Sequence, residues 1–155
     1  MGKSLESALG ALSRRALTVS ELRQRLERKG FGREDIEETL TRLSEWGYLD
    51  DQRLAVAYAK NRSARYSRQR IRVDLLRRGV ERSLAEEAVR GISEEEELRQ
   101  CLQAAEKLVS QEGRRAQTGK PGWVSARQRV GAKLLKQGYQ RDMVLMVLDN
   151  FYKSD

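Results

Sequence analysis

The chain has 155 residues and a net charge of +8, because 31 Lys and Arg side chains outnumber 23 Asp and Glu side chains. A chain this basic favours a polyanionic partner. The sequence has no run of about 18 apolar residues, which argues against a membrane-spanning helix and a membrane partner. Residues 1–17 mix charged and apolar side chains, unlike a secretion signal, and the lone cysteine, Cys101, cannot form an internal disulfide. We therefore expect a cytoplasmic protein.

Few residues are suited to catalysis. The sequence has no histidine, the commonest general base and the commonest zinc ligand, and no glycine-rich loop for phosphate. Cys101 lies on an apolar helical stripe, which predicts an inert, packed thiol. The glutamates at 94–97 are better explained as compensation of a helix dipole than as a metal site. We therefore expect no enzyme activity, no catalytic residue, no metal and no cofactor.

Helices are predicted along the whole chain. Helix-forming residues dominate, apolar residues recur at spacings of three and four, and Pro121 is the only proline. In chain order, leading helices are predicted at about 5–16, 52–65 and 94–111, and each is followed by two further helices joined at a glycine. Residues expected to cap helix N-termini are Thr18 or Ser20, Asp50, Ser93 and Ser125.

The three joining glycines, Gly30, Gly79 and Gly138, reveal an internal repeat. Each is expected to cap the helix before it. Six apolar columns recur around them at one register: Leu22, Ile71 and Val130; Leu26, Leu75 and Leu134; Phe31, Val80 and Tyr139; Ile36, Ala85 and Val144; Leu40, Val89 and Leu148; Leu43, Ile92 and Phe151. The pattern predicts an all-α fold of tandem three-helix repeats, packed into an elongated, curved array of about nine helices.

The predicted repeats cover residues 1–49, 50–93 and 94–155. The third repeat is longer than the others, and its additional residues fall in the stretch QEGRRAQTGKPGW, which is rich in Gly, Lys and Arg. A stretch of this composition is typical of a surface loop. We therefore expect a mobile loop near residues 112–123.

The stretch KNRSARYSRQRIRVDLLRRG, residues 60–79, carries eight Lys or Arg side chains and one carboxylate, Asp74. On a helix, Asp74 lies close to Arg70 and Arg77 and offsets part of their charge. The other six cations have no acidic neighbour in the local sequence. A binding surface for DNA phosphates or for acidic patches on a protein is predicted, although a solvated helix face is the alternative. The predicted surface comprises Lys60, Arg62, Arg65, Arg68, Arg70, Arg72, Arg77, Arg78 and Tyr66.

A second basic set occurs near the C-terminus, and solubility alone explains it as well as a contact function does. Its members are Arg114, Arg115, Lys120, Arg127, Arg129, Lys133 and Lys136. The segment 48–51 has a structural interpretation, because Gly47 ends one helix, Leu49 packs and Asp50 caps the next helix. Trp46, at the same helix end, is also interpreted as structural, whereas Trp123 adjoins the predicted loop.

Three stretches together resemble the RecX family, bacterial regulators of the RecA recombinase: SRRALTVSELRQRLERKGF, LSEWGYLDDQRLAVAYAKNR and RQRIRVDLLRRGV. The most specific residues are 47–53, followed by Ala55, Tyr58, Arg62, Arg70, Ile71, Leu75 and Gly79. The resemblance covers most of residues 8–92 and reaches the last sixty residues only through the repeat. Leu54 and Ser67 depart from the family pattern, which often has Phe and Gly at these positions.

The resemblance implies a non-enzymatic regulator that acts in DNA repair, homologous recombination and the SOS response. We also expect a monomer, although the sequence carries no signal of the oligomeric state. Such proteins bind in the helical groove of the RecA–DNA filament, and they lower recombinase, ATPase and coprotease activity by limiting growth or promoting disassembly. Contacts to DNA would be mainly to phosphates and not sequence-specific. Nothing in the sequence separates residues that contact RecA from residues that contact DNA.

The alternative is a helix-turn-helix-like regulator that acts on DNA directly, since the rhythm of residues 18–49 also resembles such modules. Two observations argue against it. The chain is predicted to continue as helix after Gly47, where a winged module would have strands. The predicted second helix is acidic, a poor surface for the major groove, with carboxylates at Glu34, Asp35, Glu37 and Glu38.

Overall fold

The computed structural model describes residues 2–119 and 125–152. These residues form nine α-helices and no strand, so the predicted all-α fold is confirmed. The helices are α1 (Gly2–Arg14), α2 (Val19–Arg28), α3 (Arg33–Glu45), α4 (Asp51–Arg62), α5 (Arg68–Arg77), α6 (Arg82–Arg90), α7 (Glu94–Gln117), α8 (Ala126–Lys136) and α9 (Arg141–Phe151). No helix of the described residues combines the length and the hydropathy needed to cross a bilayer.

The predicted N-caps hold the starts of four helices. At α2 the cap is Thr18, whose Oγ1 accepts from the Glu21 backbone N–H at 3.0 Å while the Glu21 carboxylate accepts from the Thr18 N–H at 3.2 Å. Ser93 and Ser125 accept in the same way at α7 and α8, and Asp50 accepts from the Arg53 N–H at α4. These bonds satisfy backbone donors that the first helical turn leaves open.

The repeat glycines end α2, α5 and α8 in the left-handed conformation, with φ of +88° at Gly30, +86° at Gly79 and +97° at Gly138. The residue after each glycine donates its backbone N–H back into the helix, as Tyr139 does to the Leu134 carbonyl at 3.3 Å. This is the geometry of a glycine C-cap, so the predicted caps are confirmed.

The chain divides into two compact units. The first unit comprises the described residues up to Tyr58 and Arg72–Ala88. Its core lies between α1, α2 and α3, where apolar residues at helical spacing meet and are fully or almost fully buried. The main contributors are Leu22, Leu26, Ile36, Leu40 and Leu43, all members of the predicted columns.

The second unit comprises Ala59–Ile71 and the described residues from Val89 onward. Its core joins α7, α8 and α9 through Cys101, Ala105, Val130, Leu134, Tyr139, Val144, Val147 and Leu148. One predicted column member, Phe151, is instead partly exposed, because α9 ends at this residue. Elsewhere the columns describe the buried face well, since apolar side chains spaced at three and four share one side of a helix.

Within each unit, a hydrogen bond of the same kind links two repeats. In the first unit, Thr18 Oγ1 donates to the Arg78 carbonyl at 2.7 Å. In the second, the Ser67 backbone N–H donates to the Gln137 carbonyl at 3.2 Å. Thr18 and Ser67 are matched positions of the repeat, and both carbonyls precede a repeat glycine. Each hydrogen bond therefore connects the start of one helix to the end of another.

Helix α7 extends to Gln117, six residues beyond the predicted end. Residues 112–117 are therefore helical, and the expectation of a loop there was wrong. The helix continues because Glu112 is buried and held by Arg129 of α8. Residues 120–123 of the predicted loop lie outside the described residues, and the boundaries of the three repeats remain a prediction.

Candidate functional site: a basic groove

Three arginines of the predicted 60–79 surface are held by carboxylates. Arg78 donates through Nε to Glu21 Oε1 at 2.9 Å and through Nη2 to the Ala16 carbonyl at 3.2 Å. Arg72 Nη1 lies 3.8 Å from Glu86 Oε1. These acidic partners are distant in the sequence, so the local sequence of residues 60–79 does not reveal them.

Arg68 is the most firmly held of the three. Its Nε donates to the buried Glu97, its Nη2 lies 3.6 Å from Glu94, and its Nη1 donates to the Ile92 carbonyl at 3.3 Å. A guanidinium with this many acceptors has few donors left for a ligand. We therefore assign Arg68 a structural role in the second unit.

The second basic set contains two further structural arginines. Arg127 donates to Asp149 at 2.8 Å and to the Tyr152 carbonyl at 3.2 Å. Arg129 binds the Glu112 carboxylate through two nitrogens at 2.8–3.0 Å, a bidentate geometry that favours the ionised acid. This hydrogen bonding, with the positive charge of Arg129, lowers the pKa of Glu112 and raises the pKa of Arg129.

Acidification is expected to remove the stabilisation that Glu112 provides. Because its pKa is lower in the folded protein than in the unfolded chain, the stabilisation is complete above about pH 4.3 and is lost as the pH falls through the folded value. We expect Glu112→Gln to lower the melting temperature at pH 7 and the difference from the wild type to shrink toward pH 3. Thermal unfolding followed by circular dichroism between pH 7 and 3 measures this.

The matched control is Glu106→Gln, since Glu106 is exposed on the same helix and forms no ion pair within the described residues. It should leave the melting temperature almost unchanged at every pH. A difference between wild type and Glu112→Gln that stays constant down to pH 3 would contradict the assigned role of this carboxylate.

Four of the remaining predicted cations line a groove of about 580 Å³ in the second unit. This basic groove is lined by Arg65 and Arg70 from the 60–79 stretch, by Lys133 and Lys136 of α8, and by Lys107 of α7. None of the described residues that line it is an Asp or a Glu. The structure thus brings together two sets of cations that are separate in the sequence.

Arg70 and Tyr66 form the ordered wall of the basic groove. Arg70 Nη1 donates to the Lys136 carbonyl at 2.8 Å, and its guanidinium carbon lies 4.9 Å from the centre of the Tyr66 ring. The Arg70 backbone N–H is in turn bound by the side chain of Ser67 at 3.1 Å. A cation–π contact and a hydrogen bond hold the guanidinium in one position.

The three lysines of the basic groove differ from Arg70. Lys107, Lys133 and Lys136 are exposed, and none forms an ion pair within the described residues. Because the Arg70 bond is made to the backbone carbonyl of Lys136, the ammonium group of that lysine is not used by it. Three exposed ammonium groups on long, flexible stems therefore line the groove beside one fixed guanidinium.

Four glutamine amides complete the lining, and the sequence analysis missed them. Gln100, Gln103 and Gln111 lie with Lys107 on one face of α7, at spacings of three and four. This face of α7 lies opposite the apolar face that contains Cys101. Its spacing is visible in the sequence and could have indicated a polar binding surface. The fourth, Gln137, has a buried Oε1 without a hydrogen-bond partner in the described part of the chain.

Other predicted contact residues lie outside the lining of the basic groove. Lys60, Arg62, Arg77, Arg114 and Arg115 are exposed but do not line it. Lys120 and Trp123 lie outside the described residues.

Two aromatic residues are more exposed than expected. Trp46 and Tyr48 are 53% and 60% exposed, so the packed role predicted for Trp46 was wrong. Gly47 between them is left-handed, and Leu49 is buried, as predicted. The turn that buries Leu49 therefore leaves its two aromatic neighbours on the surface.

Few side chains among the described residues are candidates for a catalytic role. Cys101 is fully buried in the core of the second unit, and this burial raises the pKa of its thiol to about 12. The predicted packed thiol is confirmed, since the reactive thiolate does not form at neutral pH. No group of three or more Cys, Asp or Glu side chains in this part of the chain is arranged to hold a metal ion.

Two models of one protein family match the chain. RecX, first three-helix domain, matches residues 5–43, and RecX, second three-helix domain, matches residues 50–89. The chain belongs to the RecX family. Both matches end before α7, so the helix that carries Lys107 and the glutamine stripe lies beyond the family models.

Relatives that carry the name Regulatory protein RecX agree with this assignment. The protein from Clostridium botulinum (strain Alaska E43 / Type E3) is 31% identical over 108 residues, which are 70% of this chain and 51% of the relative. The protein from Deinococcus radiodurans is 40% identical over 98 residues, 63% of this chain and 47% of the relative. The chain thus spans about half the length of these RecX relatives.

Solved RecX structures have the same fold. The crystal structure of RecX from Lactobacillus salivarius aligns with a TM-score of 0.78 and 18% identity, over 96% of this chain and 94% of that one. Another crystal structure, of regulatory protein RecX, aligns with a TM-score of 0.75 and 22% identity, over 96% and 71% of the two chains. The RecX fold therefore includes α7, α8 and α9, which the family models do not reach.

Proposed function

We propose that this RecX-family protein binds RecA–DNA filaments in their helical groove and inhibits the recombinase, ATPase and coprotease activities of RecA. It would act in the cytoplasm, in DNA repair, homologous recombination and the SOS response, by limiting filament growth or promoting disassembly. The protein would do so as a monomer and without a cofactor, since binding alone changes the population of filaments.

The observation that supports this proposal best is the basic groove. A RecA filament contains DNA, whose phosphates form a continuous polyanion, and five cations without a carboxylate make a complementary surface. Membership of a family of regulatory proteins agrees with a binding function. The described residues of α3 disfavour the alternative of direct helix-turn-helix recognition, since Glu34, Asp35, Glu37 and Glu38 are all exposed on it.

The proposal is tested with RecA filaments assembled beforehand on single-stranded DNA with ATP. The protein is added at well below one molecule per RecA, and ATP hydrolysis and filament length are followed together. We expect hydrolysis to fall and filaments to shorten, because a protein in the groove that limits growth or promotes disassembly needs only a few molecules per filament. Inhibition that requires nearly one molecule per RecA and leaves filament length unchanged would contradict both limited growth and disassembly, and would indicate that the protein has to fill the groove along the whole filament.

The experiment needs two controls. DNA without RecA should show no ATP hydrolysis, and RecA filaments without the protein should keep their length over the same period. No change in hydrolysis or length at equimolar protein, with tight binding to bare DNA retained, would overturn the proposal. That result would favour the direct DNA-binding regulator.

A further inference from the structure

We infer that the basic groove of the second unit binds single-stranded nucleic acid, with one or two nucleotides of the strand inside it. The inference deepens the proposed function and rests on it for the DNA-containing partner. It assigns the nucleic-acid contact to residues of α7 and α8 together with the first turn of α5 and the segment before it, and it adds Lys107 and the glutamine amides, which no motif in the sequence had marked.

The charge of the basic groove is the first argument. Nucleic-acid phosphates are bound through cations irrespective of base sequence, and the groove offers Arg65, Arg70, Lys107, Lys133 and Lys136. Glutamates that neutralise arginines elsewhere in this unit, such as Glu97 and Glu112, are not part of the lining. No carboxylate of the lining itself therefore offsets the positive charge of the groove.

The dimensions of the groove are the second argument. Small-molecule sites measure about 300–1,000 Å³, and this groove measures about 580 Å³. The groove is therefore large enough for one or two nucleotides of a strand. A base-paired duplex presents its phosphates around a much wider cylinder, so the same cations would reach only its rim.

The uncharged lining is the third argument, and it distinguishes a nucleotide from an acidic peptide. Proteins that bind single strands combine cations with aromatic and apolar surfaces on which bases stack. Tyr66 supplies the aromatic ring, and Ala104 and Leu108 supply apolar surface. The amides donate and accept hydrogen bonds, so they suit bases and sugars as well as phosphates.

Order within the free protein is the fourth argument. Arg70 and Tyr66 are already held against each other and against the Lys136 carbonyl. A contact that is preorganised costs less side-chain entropy when the ligand binds. We therefore assign Arg70 and Tyr66 as the fixed part of the site and the three lysines as cations that adapt to the phosphates.

The test compares two double variants that lower the net charge equally. Lys107→Gln with Lys136→Gln removes two groove cations, whereas Arg99→Gln with Arg141→Gln removes two exposed cations of α7 and α9 that do not line the groove. Binding of the full-length proteins to a fluorescein-labelled oligothymidylate is measured by anisotropy across a range of salt concentrations. Thermal unfolding of each variant checks that the exposed substitutions leave the fold intact.

We expect the groove variant to flatten the slope of log K against log salt by about 1.4, since each lost phosphate contact on a single strand accounts for about 0.7. The control variant should keep the wild-type slope. Equal slopes for the two variants would overturn the assignment of the groove, as would failure of the wild type to bind the oligonucleotide.

Competition identifies the ligand class. Unlabelled single strand should displace the probe efficiently, and duplex of the same length and polyglutamate should do so poorly. Equal competition by duplex would overturn the single-strand assignment, and equal competition by polyglutamate would overturn the nucleic-acid assignment in favour of an acidic protein surface.

The RecA filament assay, repeated with the same variants, separates this inference from the proposed function. If the wild type binds the oligonucleotide through the groove but never affects RecA, the inference stands and the proposed function fails. If RecA is inhibited equally by the wild type and by the groove variant while the salt slopes of both are identical, the proposed function stands and the inference is overturned.

Discussion

Replacing Gly138 by alanine is expected to lower the free energy of unfolding by about 2–5 kcal/mol, whereas Gly30→Ala should cost about 1–2 kcal/mol. Both glycines are left-handed, with φ of +97° and +88°, so both substitutions carry the strain of an L-residue in that conformation. Only at Gly138 would the new Cβ also lie 2.5 Å from Ser67 Oγ and from the Cβ of Arg70. Overpacking of this kind adds about 1–3 kcal/mol.

Gly79 offers an internal check of this explanation. Its new Cβ would lie 2.4 Å from the Cβ of Ser20 and 2.5 Å from its Oγ, so Gly79→Ala should resemble Gly138→Ala. Combining Gly79→Ala with Ser20→Gly removes the clashing atoms and should recover the overpacking part of the loss, but not the backbone strain. Urea unfolding followed by circular dichroism measures all four variants. Equal losses at Gly30 and Gly138 would show that the close approach between repeats is not important.

Replacing Arg68 by methionine is expected to lower the free energy of unfolding by about 2–3 kcal/mol. Glu97 is only 8% exposed, and removal of Arg68 leaves its carboxylate buried without its main partner. The expected loss is below the range for fully buried pairs because the Arg68 side chain is 31% exposed. Urea unfolding of the full-length protein provides the measurement.

Arg65→Met is the matched control, since Arg65 lies three residues away in the same basic stretch, is exposed and has no ion pair within the described residues. Its effect on stability should stay within about 0.5 kcal/mol, while its affinity for single-stranded DNA should fall. The combination of Arg68→Met with Glu97→Gln should regain part of the stability, because a neutral amide is less costly to bury than a charge. If Arg68→Met left stability intact and weakened DNA binding, Arg68 would be a contact residue after all.

Local features of the fold could be predicted because they depend on neighbouring residues. Thr18, Ser93 and Ser125 cap helices through backbone groups three positions away, and Gly30 and Gly138 end helices through their own φ. The buried faces followed from the spacing of apolar residues. The end of α7 was misplaced because Glu112 is held by Arg129, a residue of the next helix.

The candidate site was predicted only in part, for the same physical reason. Charge density in residues 60–79 indicated a binding surface, and in the tertiary structure some of its members bind carboxylates while others line the basic groove. Arg78 pairs with a carboxylate 57 residues away and Arg68 with one 29 residues away, distances over which sequence carries no pairing signal. Arg65 and Arg70 instead meet Lys107 and Lys136 across the groove.

The sequence by itself determined the helices, their caps, the repeat and the basic character of this protein, since propensity, capping and charge are properties of residues and their near neighbours. Only the tertiary structure decided which cations bind carboxylates of distant helices and which line the basic groove. That decision depends on where carboxylates from other helices lie in space. The tertiary structure also determines where a neighbouring helix approaches closely. This approach requires a glycine at Gly79 and Gly138, but not at Gly30.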